Sequence, residues 1–212
     1  MPALHGGGPT TDPGALVMVR SRENVEACDA EMAVRAWLDA FVLGLNLCPF
    51  AHAPMRADRV RLATTRAATL DGVLRTTRAE IRRLLATPAE TTQTTIVIAM
   101  RTLADFRAYL HALGRLEDFI ARAGLTGIVQ LASFHPRYQF TGTRVGDVTN
   151  HTNRAPYPLF HILREDDVEA ARLGGADVAA IPRRNMATLR SLVHSGVRAL
   201  RKRAGIVDQR LR

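Results

Sequence analysis

The segment Thr94–Met100, read TTIVIAM, narrows what this chain can fold into more than any other. It is short, rich in β-branched residues and free of charge, the pattern of a strand buried on both faces in the middle of a sheet. Such a strand needs neighbouring strands for its main-chain groups and helices to cover it.

Periodicity supplies those partners. Val25, Cys28, Met32, Val34, Trp37, Leu38, Phe41 and Val42 recur at three- and four-residue spacing and predict one buried helical face. That helix is expected to start at an N-cap on Ser21 and to end near Gly44 or Asn46, with Pro49 blocking continuation and Cys48 in the turn beyond. Arg59–Thr64 alternates as a short strand through Val60 and Leu62. Leu70, Val73, Leu74, Ile81 and Leu84 mark a second helix, with Asp71 in its first turn and Pro88 past its end. Leu103, Phe106, Leu110, Leu113, Leu116, Phe119 and Ile120 trace a third, stopped by Gly124. Gly127–Phe134 and Tyr157–Arg164 read as strands, antiparallel because no helix joins them. A short helix from about Glu165 to Leu173, a glycine turn and a helix from about Arg184 to Arg203, entered through Pro182, complete the pattern.

The order predicts an α/β (α+β layered) fold, helices packed on a mixed sheet of about four strands. Residues 1–20, with Gly6, Gly7, Gly8 and three prolines, are expected to be a flexible, dispensable extension. Residues 21–212 are expected to form a single domain ending in a basic helix.

Composition bounds the function. Asp39 interrupts the longest apolar run, 37–50, well short of the ~20 residues that cross a bilayer. The N-terminus lacks the basic segment and apolar core of a secretory signal, so the expected compartment is the cytoplasm, with no membrane partner. Cys28 and Cys48 cannot build a disulfide framework and are read as thiols. The net charge of +9 invites a nucleic-acid reading, but Lys202 is the only lysine and aromatics are 5% of residues, too few for a stacking surface. Nucleic acid is thus not expected as the main ligand, and a small anionic molecule is.

Phe134–Glu165 concentrates the chemically capable side chains: His135, Tyr138, Asn150, His151, Asn153, Arg154, Tyr157 and His161. Its segment 141–156 is too long for a tight hairpin and too polar for core. Pro156 and Pro158 bracket Tyr157 and restrict how Asn153 and Arg154 point, so the loop is read as ordered.

Several blocks carry a family resemblance: Asn46–Ala51 (NLCPFA), Gln130–Pro136 (QLASFHP), Tyr138–Phe140, Thr152–Arg154, Pro156–Pro158 and His161–Glu165. Over about residues 30–195 the chain resembles the bacterial family catalogued as domain of unknown function 1415. The resemblance implies a single cytoplasmic domain and assigns no activity. Arg137 departs from the acidic residue more usual at that position.

Three chemistries remain open from the residues. His135 and His161 could share a metal with Asp147 or Glu165, although neither spacing is a recognised ligand motif, and no metal site is assigned. Cys48 could act as nucleophile, with His135 its base and Asn150 or Asn153 orienting the imidazole. Arg154 could clamp a carboxylate or phosphate, with Tyr138 and Asn153 adding hydrogen bonds and His135 moving a proton. The alternative for Arg154 is an ion pair with Asp147 or Glu165 that ties down the loop. The expected site is one pocket holding His135, Asn153, Arg154 and His161, with Tyr138 and Tyr157 on its wall and Cys48 adjacent. His161 would lie about 13 Å below its rim. The favoured reading is a small enzyme acting on an anionic metabolite. The alternative is a binding or regulatory module using the basic C-terminal helix, Arg183, Arg184, Arg190, Arg198, Arg201, Lys202 and Arg203. The sequence names no cofactor and no oligomeric state.

Overall fold

Strand β2 (Thr94–Ala99) has every residue buried, and the fold is arranged to make that so. The computed structural model describes residues 22–173 and 177–206. The expected N-terminal extension, the Ser21 cap and the glycine turn after Leu173 lie outside them. Strands β1 (Val60–Thr65), β2, β3 (Val129–Phe134) and β4 (Leu159–Arg164) form one sheet in the order β1-β2-β4-β3. β1 and β2 are parallel, while β4 runs antiparallel to both β2 and β3, with Ile96 and Ala132 each opposite His161. The sheet is mixed and four-stranded, with TTIVIA inside it.

Because strand side chains alternate, β2 feeds two cores. Ile96 and Ile98 join the one built with helix α1 (Arg22–Trp37) and helix α6 (Ile181–Arg203), around Trp37, Phe41, Leu159 and Leu189. Val97 and Ala99 join the other, covered by α3 (Leu70–Ala86) and α4 (Phe106–Arg122) through Val73, Ile81, Tyr109, Leu116 and Phe160. The helix α5 (Glu165–Leu173) follows β4 directly.

Local chemistry sets the helix ends. Thr69 caps α3 by accepting from the Gly72 N–H at 3.2 Å, and Asp105 caps α4 through the Ala108 N–H at 2.9 Å. Leu103 thus stands outside the helix it was expected to join, with φ of 64°. After Trp37 the chain widens into a π-helical turn, Leu38–Leu43, in which Gly44 N–H reaches back to Asp39 O at 2.9 Å. A Cβ on Gly44 would lie 2.6 Å from the Ala40 carbonyl, so glycine serves close approach there. Asn46 takes the left-handed conformation expected at this end, with φ of 51°.

The expected face of α1 needs correction. Its buried line is Ala30, Val34 and Trp37, whereas Val25 and Met32 are 43% and 55% exposed. Met32 stands about 200° round the helix from Ala30, so Val25, Cys28 and Met32 share a stripe, but one away from the sheet. In α4 the buried line is Tyr109, Ala112, Leu116 and Ile120, leaving Leu110 exposed. α6 is broken at Val193, whose φ of 49° and ψ of −178° are not helical.

A short helix α2 (His52–Arg56), entered through the 3-10 turn Pro49–Ala51, lies between the π-helical turn and β1. With α1, α5 and one face of the sheet it frames the cavity described next. Among the described residues no helix is long and apolar enough to cross a membrane.

Candidate functional site

The loop 135–157 is ordered by its own polar side chains. Asn150, fully buried, accepts from the Phe140 N–H at 3.0 Å and the Thr143 hydroxyl at 2.9 Å, and donates to Arg144 O at 2.9 Å. Asp147 caps the 3-10 turn Val148–Thr152 by accepting from the amide and hydroxyl of Thr149, which hold its carboxyl below the usual range. Asn153 sews the loop to the end of β3, its side-chain amide donating to Ser133 O and its main-chain carbonyl accepting from the His135 N–H, both at 3.0 Å. Arg154 donates through Nε to Tyr138 O at 3.0 Å and through Nη2 to Val145 O at 2.6 Å. The guanidinium thus ties the loop through main-chain carbonyls, where an ion pair with Asp147 or Glu165 was the expected alternative to anion binding.

His135 is fully buried against Tyr109 and Phe106, with ring centroids at 5.1 and 5.2 Å. Its Nδ1 accepts from the Arg137 N–H at 3.0 Å, so Nε2 carries the proton and donates to Leu103 O at 2.9 Å. Burial pushes its pKa down to about 4, against the opposing effect of the Leu103 carbonyl. The ring is a neutral clamp on the strained Leu103 carbonyl, both nitrogens engaged.

His161 lies on the opposite face. It is adjacent in β4 to Phe160, which stacks on Tyr109 at 4.9 Å on the His135 side, so alternation sends His161 the other way, toward Phe134. The expected convergence of His135, Asn153 and Arg154 with His161 therefore does not occur. A strand end can lie near its neighbour while its last side chain faces the other core. Tyr138 stays with the loop, its ring against Phe106 and Phe140, and Tyr157 is buried in the α1-side core.

What His161 does share is a cavity of about 230 Å³, with Cys48. Trp37, Val42, Phe50, Met55 and Phe134 give it an almost wholly apolar lining, and the polar groups along it are few. The Thr94 hydroxyl gives its one proton to Ile162 O at 2.7 Å, so at 2.7 Å from His161 Nε2 it must be accepting. That assigns the Nε2–H tautomer and leaves His161 Nδ1 a bare acceptor with no hydrogen bond among the described residues. Burial pushes this imidazole down to about 4 as well. Burial also pushes the Cys48 thiol up, the backbone amides of Phe50 and Ala51 opposing it. At neutral pH the cavity therefore holds a thiol and a neutral imidazole.

Two further lining groups have buried polar atoms without a partner: Trp37 Nε1 and Gln93 Oε1. Burial raises the Asp167 carboxyl, with the nearby Gln93 side chain opposing the rise. Trp37, Gln93, Thr94 and Asp167 were not singled out from sequence. The one available signal was polar Gln93 and Thr94 at the mouth of an otherwise apolar strand.

Among the described residues no three His, Cys, Asp or Glu side chains are grouped to hold a metal ion. The family model described as protein of unknown function (DUF1415) matches residues 29–199, which include every residue lining the cavity and the whole 135–157 loop. No match was found among curated proteins or among solved structures.

Proposed function

We propose that this chain, which belongs to the family described as protein of unknown function (DUF1415), binds a small, largely apolar molecule in the cavity between α1, α2, α5 and the sheet. The observation that carries the reading is an apolar cavity two of whose lining residues, Trp37 and Gln93, each carry a buried polar atom, Nε1 and Oε1, without a partner. A buried polar atom left unsatisfied costs about 1–3 kcal/mol, a cost that a ligand supplying the missing bond would remove. At about 230 Å³ the space exceeds the ~150 Å³ cavity that accepts benzene, and falls below the ~300 Å³ of a drug-sized site.

The reading as an enzyme acting on an anionic metabolite asks His135 and Arg154 to leave main-chain partners they already hold. The cavity asks for no such rearrangement. A catalytic version remains attached to it through Cys48 and His161, which share it: the Cys48 sulfur would add to the carbon of a bound carbonyl, the C=O π bond opening as the S–C bond forms, and the thiol proton would pass by way of His161 Nδ1 to the resulting oxyanion.

The experiment is a binding screen of aromatic and short aliphatic probes followed by chemical shifts of the Trp37 indole N–H, against an Ala132→Leu variant that fills the wall opposite His161. Probes should move the indole signal in the parent and fail to do so in the folded variant. Binding unaffected by Ala132→Leu would place the ligand elsewhere.

A further inference from the structure

The cavity's polar groups are not distributed evenly, and their arrangement selects a ligand head group. At the end where β2 begins lie Gln93 and Asp167, and three residues on from Gln93, opposite Ile96, His161 faces the same space. Each of these presents an acceptor. The Thr94 hydroxyl, its own proton committed to Ile162 O, forces the His161 proton onto Nε2 and leaves Nδ1 a lone pair. The Gln93 side chain stands close enough to the Asp167 carboxyl to act on it, and its Oε1 is buried without a donor. The unpartnered donor, Trp37 Nε1, belongs to the other end, where the indole packs edge-on to Phe134 at 5.1 Å.

Resting on the cavity reading above, we propose that this site takes an apolar molecule headed by a neutral hydrogen-bond donor, a hydroxyl group in the first instance, seated between His161 Nδ1 and Gln93 Oε1. A hydroxyl proton satisfies one of those lone pairs, which a carboxylate or an ether oxygen cannot do. A carboxylate would also set its charge against the Asp167 carboxyl and leave water for an apolar wall. An ammonium could donate, but the guanidinium groups of Arg59 and Arg164 stand close enough to Asp167 to act on its charge, so a second cation is disfavoured there.

The test is a matched series on one apolar body: ethylbenzene, phenylethyl alcohol, phenylethyl methyl ether, phenylethylamine and phenylacetate, titrated by calorimetry and by the Trp37 indole shift. The alcohol should bind about tenfold more tightly than the ether, the size of one buried hydrogen bond, with the amine weaker than the alcohol and phenylacetate not binding. Gln93→Leu and His161→Phe should each shrink the alcohol-over-ether ratio toward one while ethylbenzene binding persists. Gln93→Leu, on a partly exposed residue, answers the question if His161→Phe does not fold. Ethylbenzene and the ether binding as tightly as the alcohol would overturn the head-group assignment and leave the cavity reading standing. Phenylacetate binding best would also overturn it, and no binding by any member would overturn both.

Discussion

Thr94 and His161 are bound across β2 and β4 in a fixed sense: the threonine hydroxyl, donating to Ile162 O, can only accept from the imidazole Nε2. Thr94→Val should therefore release the ring tautomer as well as cost stability. Loss of a buried hydroxyl that serves two partners is expected to destabilise by about 1–3 kcal/mol. Nitrogen shifts of His161 should move from a single Nε2–H pattern toward a mixture, and an unchanged pattern would mean another group sets the tautomer.

Stability should depend on pH through the two buried imidazoles. In the fold His135 and His161 are held at about 4, against an unfolded value near 6.5. Between those values the unfolded chain binds the extra protons, so stability is complete above about pH 7 and falls as pH drops toward 4. Each histidine contributes at most about 3 kcal/mol over that window. Urea denaturation at pH 7.5 and pH 5 should show the loss, and His161→Gln or His135→Gln should each flatten the dependence. A wild-type protein equally stable at both would contradict the burial assigned to these rings.

Asn150 and Arg154 should rank differently from what their chemistry alone suggests. Asn150→Ala leaves the Phe140 N–H and the Arg144 carbonyl short of a partner, while the Thr143 hydroxyl keeps its bond to Phe140 O, and should cost about 2–3 kcal/mol. Arg154→Ala frees two carbonyls at the edge of the loop and should cost about 1 kcal/mol, with faster proteolysis between residues 138 and 148. Melting curves and limited proteolysis check the order. An Arg154 variant with unaltered stability and lost anion binding would restore the anion-clamp reading.

Cys48 should alkylate slowly. Its thiol is raised by burial, and the reactive thiolate is correspondingly scarce at neutral pH. Iodoacetamide should label it at least tenfold more slowly in the native protein than in urea, and more slowly still when a cavity probe is bound. Rapid native labelling near pH 7 would instead favour the nucleophile paired with His161.

How much of this was legible beforehand differs from element to element. Thr94–Ala99 announced a central strand because burial on both faces leaves its mark in every consecutive residue, and the antiparallel β3–β4 pair followed from the absence of a connecting helix. The faces of α1 and α4 were less legible, since Val25, Met32 and Leu110 fit a three- and four-residue rhythm without lying on the stripe that the sheet covers. In α4 the residues that face the sheet include Tyr109 and Ala112, one amphipathic and one small, which apolar periodicity underweights.

The sequence by itself determined the layered α/β architecture and the concentration of polar side chains between Phe134 and Glu165, because both are recorded in local residue order. Only the tertiary structure decided how those side chains are used. His135, Asn150, Asn153 and Arg154 are matched to main-chain groups whose positions no spacing reveals, and the direction of His161 depends on which side of β4 its alternation falls. The cavity is assembled from Trp37, Cys48, Gln93, His161 and Asp167, residues far apart in the chain. Trp37 Nε1 and Gln93 Oε1 are unsatisfied because packing buries them without a partner, and a void between packed elements belongs to no single stretch of sequence.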